Sequence, residues 1–318
     1  MLRSAITITL ALLLCIAPIP LLCGNLKSRS LAQIHIPLWV DPPIHSLAPR
    51  GLRATLNGKP TSIARVLSPT SDIVVLLVLD VTGDVSLVDA AKQALAKEVD
   101  ALPPNAWVGL LRAQNGVSVI ADPTPDRMAI DQALQTVPET GKAGLLNSIV
   151  PVARLADGIL RRSGVRVAIL YITDSDIYNY REDFTNPVIN SSDPHDLSRR
   201  FPEALIEEKM SSLQMQISAD EAPIFIIHLR YRTSRMNQAY QNGLKELAEF
   251  SAGYGWSCRS DAEIPDAIHR VFAYIRSAWF LTLRVPTGAS DGLQVRLRLP
   301  ERKHSRMAYR ARLHLKTK

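Results

Sequence analysis

Ser71–Ser86, SDIVVLLVLDVTGDVS, is the stretch from which the rest of the chain is read. Seven aliphatic residues, Ile73 to Leu79, run without a break between Asp72 and Asp80. A Val-rich run of this length, with no polar alternation, predicts a strand buried on both faces at the centre of a parallel sheet. Such sheets bind ligands at the carboxyl ends of their strands, which puts Asp80, Thr82 and Asp84 where a site belongs. The spacing D-x-T-x-D offers three oxygen ligands from one loop, the donor type a hard divalent cation takes. Asp is also a frequent strand-end and N-cap residue without any metal, so loop capping is the plain alternative.

Outward from this strand, the pattern alternates. Val85 to Asp100 has helical spacing, with Leu87, Ala91, Leu95 and Val99 on one face and Lys92, Lys97 and Glu98 expected on the solvent side. Trp107–Arg112 and Val117–Ala121 read as a strand pair turning at Asn115 and Gly116, followed by helices over Pro125–Leu134 and Leu145–Arg162. Val165–Thr173, VRVAILYIT, is a second fully apolar strand, and it too runs into an aspartate, Asp174. A polar loop, Ser175–Asp196, leads to a helix over Ser198–Ile217, a strand at Ile224–Leu229, and helices at Gln238–Ser251 and Ala262–Ser277. Strand alternating with helix predicts an α/β fold, a doubly wound, mostly parallel sheet spanning residues 70–278.

The flanks have a different period. Gln33–Val40 and Arg53–Leu67 read as strands of a small β element, 33–69, with a hairpin signal at Asn57 and Gly58. Trp279–Val285, Gly292–Leu299 and Ala308–Leu315 are alternating strands with no helix between them, a β appendage over 279–318 that pairs with itself or with the N-terminal hairpin. From Gln294 onward there are nine lysines and arginines against Glu301 alone, so the formal net charge of +7 is carried by this tail. Arg296, Arg298, Arg310 and Arg312 alternate with apolar residues, which predicts a basic outer face, either solvated or meeting a partner. Aromatic residues able to stack bases are missing among these arginines apart from Tyr309, so nucleic acid is not the expected partner.

Residues 1–32 read as a targeting segment, a signal peptide or N-terminal anchor: Arg3 precedes an apolar run, Ala5–Cys23, broken by Pro18 and Pro20. Ser30-Leu31-Ala32 offers a cleavage site, and Cys23 a lipid-anchor alternative. The implied location is secreted or periplasmic. Cys15 and Cys23 lie in this segment, which leaves Cys258 as the single cysteine of the mature chain and rules out an intrachain disulfide there.

Taken together, the strand into DVTGD, the glycine-led GKAGLLNSI at a helix start, VAILYITDSD, IFIIHLR and the closing AYIRSAWFLTLRV resemble the von Willebrand factor type A domain. Within it, they resemble the exported bacterial group called VWFA-related acidobacterial-type proteins, whose N-terminal β element ATLNGKPTSIARV also resembles. In that family a metal-ion-dependent adhesion site uses D-x-S-x-S, a Thr from a later loop and an Asp after the following strand. The resemblance implies Asp80 for the first aspartate, Thr82 and Asp84 for the two serines, Asp174 for the last aspartate, and Ala143 in place of the Thr. A Mg or Ca ion is then held weakly or not at all, with the loop vestigial in the second case.

Other chemistry is thin. His228 in IIHLR reads as a core or strand-end histidine, and Cys258 as a buried thiol. G-x-S-x-G, H-E-x-x-H, C-x-x-C and phosphate-loop patterns are missing from the sequence, so no enzyme and no small-molecule substrate are expected. The expected function is an exported protein-binding module working through Asp80, Thr82, Asp84, Asp174 and the loop that contains Asp176. The alternative is an envelope-associated structural protein working through its basic β surface on an anionic envelope partner.

Overall fold

The computed structural model describes residues 32–180, 202–301 and 305–315. The expected targeting segment, 1–32, therefore lies almost wholly outside the described residues, as does most of the loop after Asp176 and the first part of the helix expected from Ser198. Fourteen strands and six α-helices are described: β1 (Gln33–Asp41), β2 (Arg53–Leu56), β3 (Lys59–Thr61), β4 (Ile63–Leu67), β5 (Ile73–Asp80), α1 (Val85–Asp100), β6 (Ala106–Arg112), β7 (Ser118–Thr124), α2 (Arg127–Thr136), α3 (Leu145–Ser163), β8 (Arg166–Thr173), α4 (Pro202–Gln216), β9 (Ile224–His228), α5 (Arg235–Phe250), β10 (Gly255–Ser257), α6 (Ile264–Ser277), β11 (Trp279–Arg284), β12 (Gly292–Arg298), β13 (Arg306–Tyr309) and β14 (Arg312–His314). Among the described residues, no helix is long and apolar enough to cross a membrane.

The aliphatic run of β5 is buried at every position, and so is β8. They lie side by side, parallel, at the centre of a six-stranded sheet ordered β10-β9-β8-β5-β6-β7, in which only β7 runs antiparallel. Helices cover both faces, α1 packing with α2 and α6, and α4 with α3 and α5. This is the doubly wound α/β architecture that the alternation predicts. In register, Asp80 pairs with Thr173 and Thr173 with His228, so the carboxyl ends of three adjacent strands meet in one row.

The flanking strands build two more sheets, β13-β1-β11-β4 and β14-β12-β2-β3. Their inward residues, among them Ile36, Leu38, Leu56, Leu281, Leu283, Val295, Leu297 and Leu313, form a second apolar core. The first sheet alternates C-terminal and N-terminal strands, and the second joins the C-terminal pair β14-β12 to the N-terminal pair β2-β3, so neither flank buries its apolar face without the other. Asn57 and Gly58, at φ 49° and 78°, turn β2 into β3 in the left-handed geometry that a two-residue hairpin needs. Trp39 of β1 belongs to the larger core: its indole stacks on Tyr274 at 4.6 Å and donates to the Tyr274 carbonyl at 2.8 Å.

Two expectations are corrected here, and one strand that the sequence reading did not include is added. Lys92 and Glu98 are buried, because α1 has neighbours on both flanks as well as the sheet beneath; Lys92 pairs with Glu139 at 2.6 Å, and Glu98 with His269 at 2.7 Å. The short strand β10, which extends the parallel sheet beyond β9, is too brief to give a periodic signal. The strand expected over Ala308–Leu315 is broken into β13 and β14 at Arg310, which leaves the outer face and enters the interior.

Candidate functional site at the carboxyl edge

Asp80 ends β5 fully buried and accepts four hydrogen bonds. Gly144 N–H donates to Oδ1 at 2.8 Å, while the hydroxyls of Ser175, Thr173 and Tyr180 donate to Oδ2 at 2.8, 3.1 and 3.1 Å. Burial pushes this carboxyl above its ordinary value, and the four donors oppose that shift by favouring the charged form. Gly144 is placed here for a steric reason. A Cβ at that position would lie 1.9 Å from the Ala113 carbonyl, so only glycine lets the loop bring its amide to Asp80.

Asp174 follows β8 and reaches across to the loop after β5. Its Oδ1 accepts from Thr82 N–H at 2.6 Å and from the Thr82 hydroxyl at 2.9 Å; its Oδ2 accepts from the amides of Gly83 and Asp84, both at 3.2 Å. Consecutive amides wrapped around one carboxylate form an anion nest. The D-x-T-x-D loop thus folds around the last aspartate. Asp84 turns the other way: its Oδ1 accepts from Ser86, and its Oδ2 pairs with Arg230 at 2.9 Å. Asp176 pairs with Arg232 at 3.3 Å and accepts from Tyr178 N–H at 2.9 Å.

Two further groups hold the row. His228 is buried, and its Nε2–H donates to the Ser175 carbonyl at 2.8 Å while Nδ1 accepts from Arg230 N–H at 3.3 Å. That pair of contacts defines a neutral ring, and burial lowers its proton affinity in the same direction. The Tyr240 hydroxyl lies 3.5 Å from Ser175 Oγ, and its ring is 5.8 Å from that of Tyr180. Cys258 is buried, and burial raises its thiol to about 12, which keeps it protonated and unreactive.

Asp80, Thr82, Asp84 and Asp174 are thus brought to one edge with Ala143 beside Gly144, as the sequence implies. Their donor atoms do not converge on a cation. Both oxygens of Asp80 and of Asp174 are taken by protein hydrogens, Asp84 is held by a guanidinium, the Thr82 hydroxyl points its hydrogen at Asp174, and Ala143 brings no oxygen. Among the described residues, no group of three or more His, Cys, Asp or Glu is arranged to hold a metal ion. The residues therefore do not fit the ion that the adhesion-site pattern implies. Reading the sequence missed Thr173, Ser175, Tyr180, Tyr240 and Arg230. Ser175 and Arg230 adjoin strand ends and were open to that argument, whereas Tyr180 sits five residues further into the loop after β8 and Tyr240 arrives from α5.

Arg296, Arg298 and Arg312 lie exposed on β12 and β14 of the sandwich. Arg310 does not join them. It is buried, donates to the carbonyls of Asp220, Ile217 at 3.2 Å, Ser218 at 3.0 Å and Arg312 at 3.1 Å, and lies 4.6 Å from the Phe250 ring centre. Its place in a partner-binding face is withdrawn for that reason.

The α/β unit is a doubly wound domain similar in fold to von Willebrand factor type A domains, as its motifs imply. Neither a known family pattern nor a curated protein matches the chain. Solved structures similar to it include the von Willebrand factor domain of the type V pili tip protein Mfa5 from Porphyromonas gingivalis, at 13% identity and TM-score 0.47, over 65% of this chain and 95% of that one. A von Willebrand factor type A protein from Catenulispora acidiphila matches at 10% identity and TM-score 0.46, over 91% of this chain and 75% of that one. Proximal thread matrix protein 1 from the mussel byssus, a structure with zinc in its MIDAS motif, matches at 11% identity and TM-score 0.42, over 69% of this chain and 48% of that one. These likenesses concern the fold; the chemistry of the edge is decided by its own geometry.

Proposed function

We propose that the chain is an exported, non-enzymatic protein-binding module whose carboxyl edge is held in shape by internal hydrogen bonds rather than by a cation. The observation that carries this reading is the closure of the edge, in which Asp174 accepts four bonds from the D-x-T-x-D loop and Arg230 stands on Asp84. A rim so fixed is preorganised, which lowers the ordering cost of association. On it, Tyr178 and Tyr231 are 55% and 37% exposed beside Arg230 and Arg232, the residue types that dominate binding hot spots. A Mg or Ca ion enters only by displacing Arg230 and the loop amides, so it binds weakly or not at all. Export rests on the leader sequence, and the partner is a protein of the envelope or the extracellular space.

The test is capture from envelope extract by wild type, by Arg230→Ala/Tyr231→Ala and by Asp84→Asn, each with and without chelator. Capture that survives chelator and disappears with Arg230→Ala/Tyr231→Ala is expected. Loss of capture with chelator alone overturns the metal-free reading.

A further inference from the structure

Away from the carboxyl edge, the sheet β14-β12-β2-β3 presents a second feature that the binding reading does not use. In its register, Arg53 of β2 stands directly opposite Arg298 of β12, and Arg296 follows two residues along the same strand. Directly opposed side chains lie about 5 Å apart at Cβ, and like charges in that position repel. Among the described residues, the pair has no carboxylate bonded to it. Arg50, Arg53, Arg296 and Arg298 line one cavity of about 1070 Å³, and no aspartate or glutamate is among the residues lining it; Glu301, just past Pro300 of the cavity wall, does not line the cavity. Among the described residues, none of the four makes an ion pair or a side-chain hydrogen bond, in contrast to Arg166 and Arg310, whose forks are filled by carbonyls. Thr55 and Ser62 add hydroxyls to the wall, and Leu52, Ile63, Leu299 and Met307 supply an apolar part.

We infer that this cavity is an anion site that takes a soluble ligand carrying two or more linked phosphate groups, bound between the Arg53–Arg298 pair and the Arg50 and Arg296 guanidiniums. Guanidinium forks match phosphate oxygens in pairs, and successive outward residues on a strand are about 6.8 Å apart, a spacing that suits linked anionic groups better than a single one. A concave groove of this volume suits a discrete molecule better than contact with a flat membrane surface, and the vesicle arm below separates the two. The inference is independent of the carboxyl-edge reading, since it uses no residue of that edge.

Calorimetric titration of the full chain with inorganic tripolyphosphate at low salt tests it, with orthophosphate and with phosphatidylglycerol-containing vesicles as separate arms. Saturable binding of tripolyphosphate is expected, weakened about tenfold or more by Arg53→Ala/Arg298→Ala and likewise by the independent pair Arg50→Ala/Arg296→Ala, with orthophosphate at least about tenfold weaker than tripolyphosphate. Lys97→Ala/Arg154→Ala removes the same charge from exposed positions of the α/β unit and should leave affinity unchanged. Equal loss in that control pair overturns the site in favour of net charge. Binding to the vesicles without binding of tripolyphosphate overturns the soluble ligand in favour of a lipid headgroup, and no saturable binding in any arm overturns the inference altogether.

Discussion

The carboxyl edge of the α/β sheet and the outer face of the β-sandwich are both rich in charge, and they treat it in opposite ways. At the edge every aspartate has found a partner inside the protein: hydroxyls and an amide for Asp80, loop amides for Asp174, a guanidinium for Asp84. On the sandwich, Arg53, Arg296 and Arg298 face outward with no counter-charge lining their cavity. Charge that is satisfied within the fold contributes to shape, whereas charge held together against its own repulsion marks a surface completed by something else. The basic tail contains both kinds within a few residues. Arg310 belongs to the fold, and Arg298 belongs to the surface.

Breaking that contrast gives the largest expected effect. Arg310→Ala strips the donors from the buried carbonyls of Asp220, Ile217 and Ser218 and removes the contact with Phe250, so it should destabilise by about 3 kcal/mol or more. Arg298→Ala, on the exposed face twelve positions earlier, should stay within about 0.5 kcal/mol of wild type. Denaturant melts of the two variants check this directly. Equal costs would mean that the two arginines do not differ as described.

The difference between these arginines also marks where the sequence stops being legible. Apolar runs ending in Asp80 and Asp174 were enough to place two neighbouring strands and the edge on which the site sits, because full burial on both faces leaves few alternatives to a central parallel strand. Alternation placed Arg310 and Arg312 on one outer face, yet the break between β13 and β14 turns Arg310 inward. That break depends on carbonyls of the segment 217–220, nearly a hundred residues away, and no local pattern reports it. The same holds for the aspartates. The D-x-T-x-D spacing and the family resemblance left a weakly held cation and loop capping both open, and the hydrogens that decide between them come from Tyr180, Gly144 and Arg230, whose approach is fixed by tertiary packing.

A second, smaller effect sharpens the account of the edge by titrating it. Burial raises the Asp80 carboxyl in the folded protein above its ordinary value of 3.8. A raised acid binds its proton more tightly when folded than when unfolded, so its contribution to stability is fully present below the unfolded value and is lost as pH rises through the folded one. Asp80→Asn keeps a similar shape and removes the titration, at the cost of placing an amide NH₂ among donors that require an acceptor. The variant should therefore be less stable overall, by about 1–3 kcal/mol, and its stability should fall less steeply than wild type as pH rises from about 4 toward neutrality. Thermal melts of both proteins across that range measure the difference. A variant whose pH profile is steeper than wild type would show that the four donors outweigh burial.

The smallest effect has the opposite sign. If Arg53 and Arg298 are held opposite one another for a ligand, then their repulsion is a cost carried by the free protein, and relieving it should stabilise the fold. Arg53→Thr places a β-branched residue on an outward strand position next to Thr55 and removes one member of the like-charge pair, changes that together are worth about 0.2–1 kcal/mol. Because the pair is exposed, salt should erase the gain: the Debye length is about 10 Å at 0.1 M ionic strength and about 3 Å at 1 M, shorter than the separation of the two charged ends of opposed arginines when they splay apart. Melting curves of wild type and Arg53→Thr at low and high salt should therefore differ at the first condition and converge at the second. Tripolyphosphate supplies the counter-charge by another route. Added to wild type it should raise the melting temperature, and added to Arg53→Thr it should raise it less, so that the more stable protein without ligand becomes the less stabilised one with it.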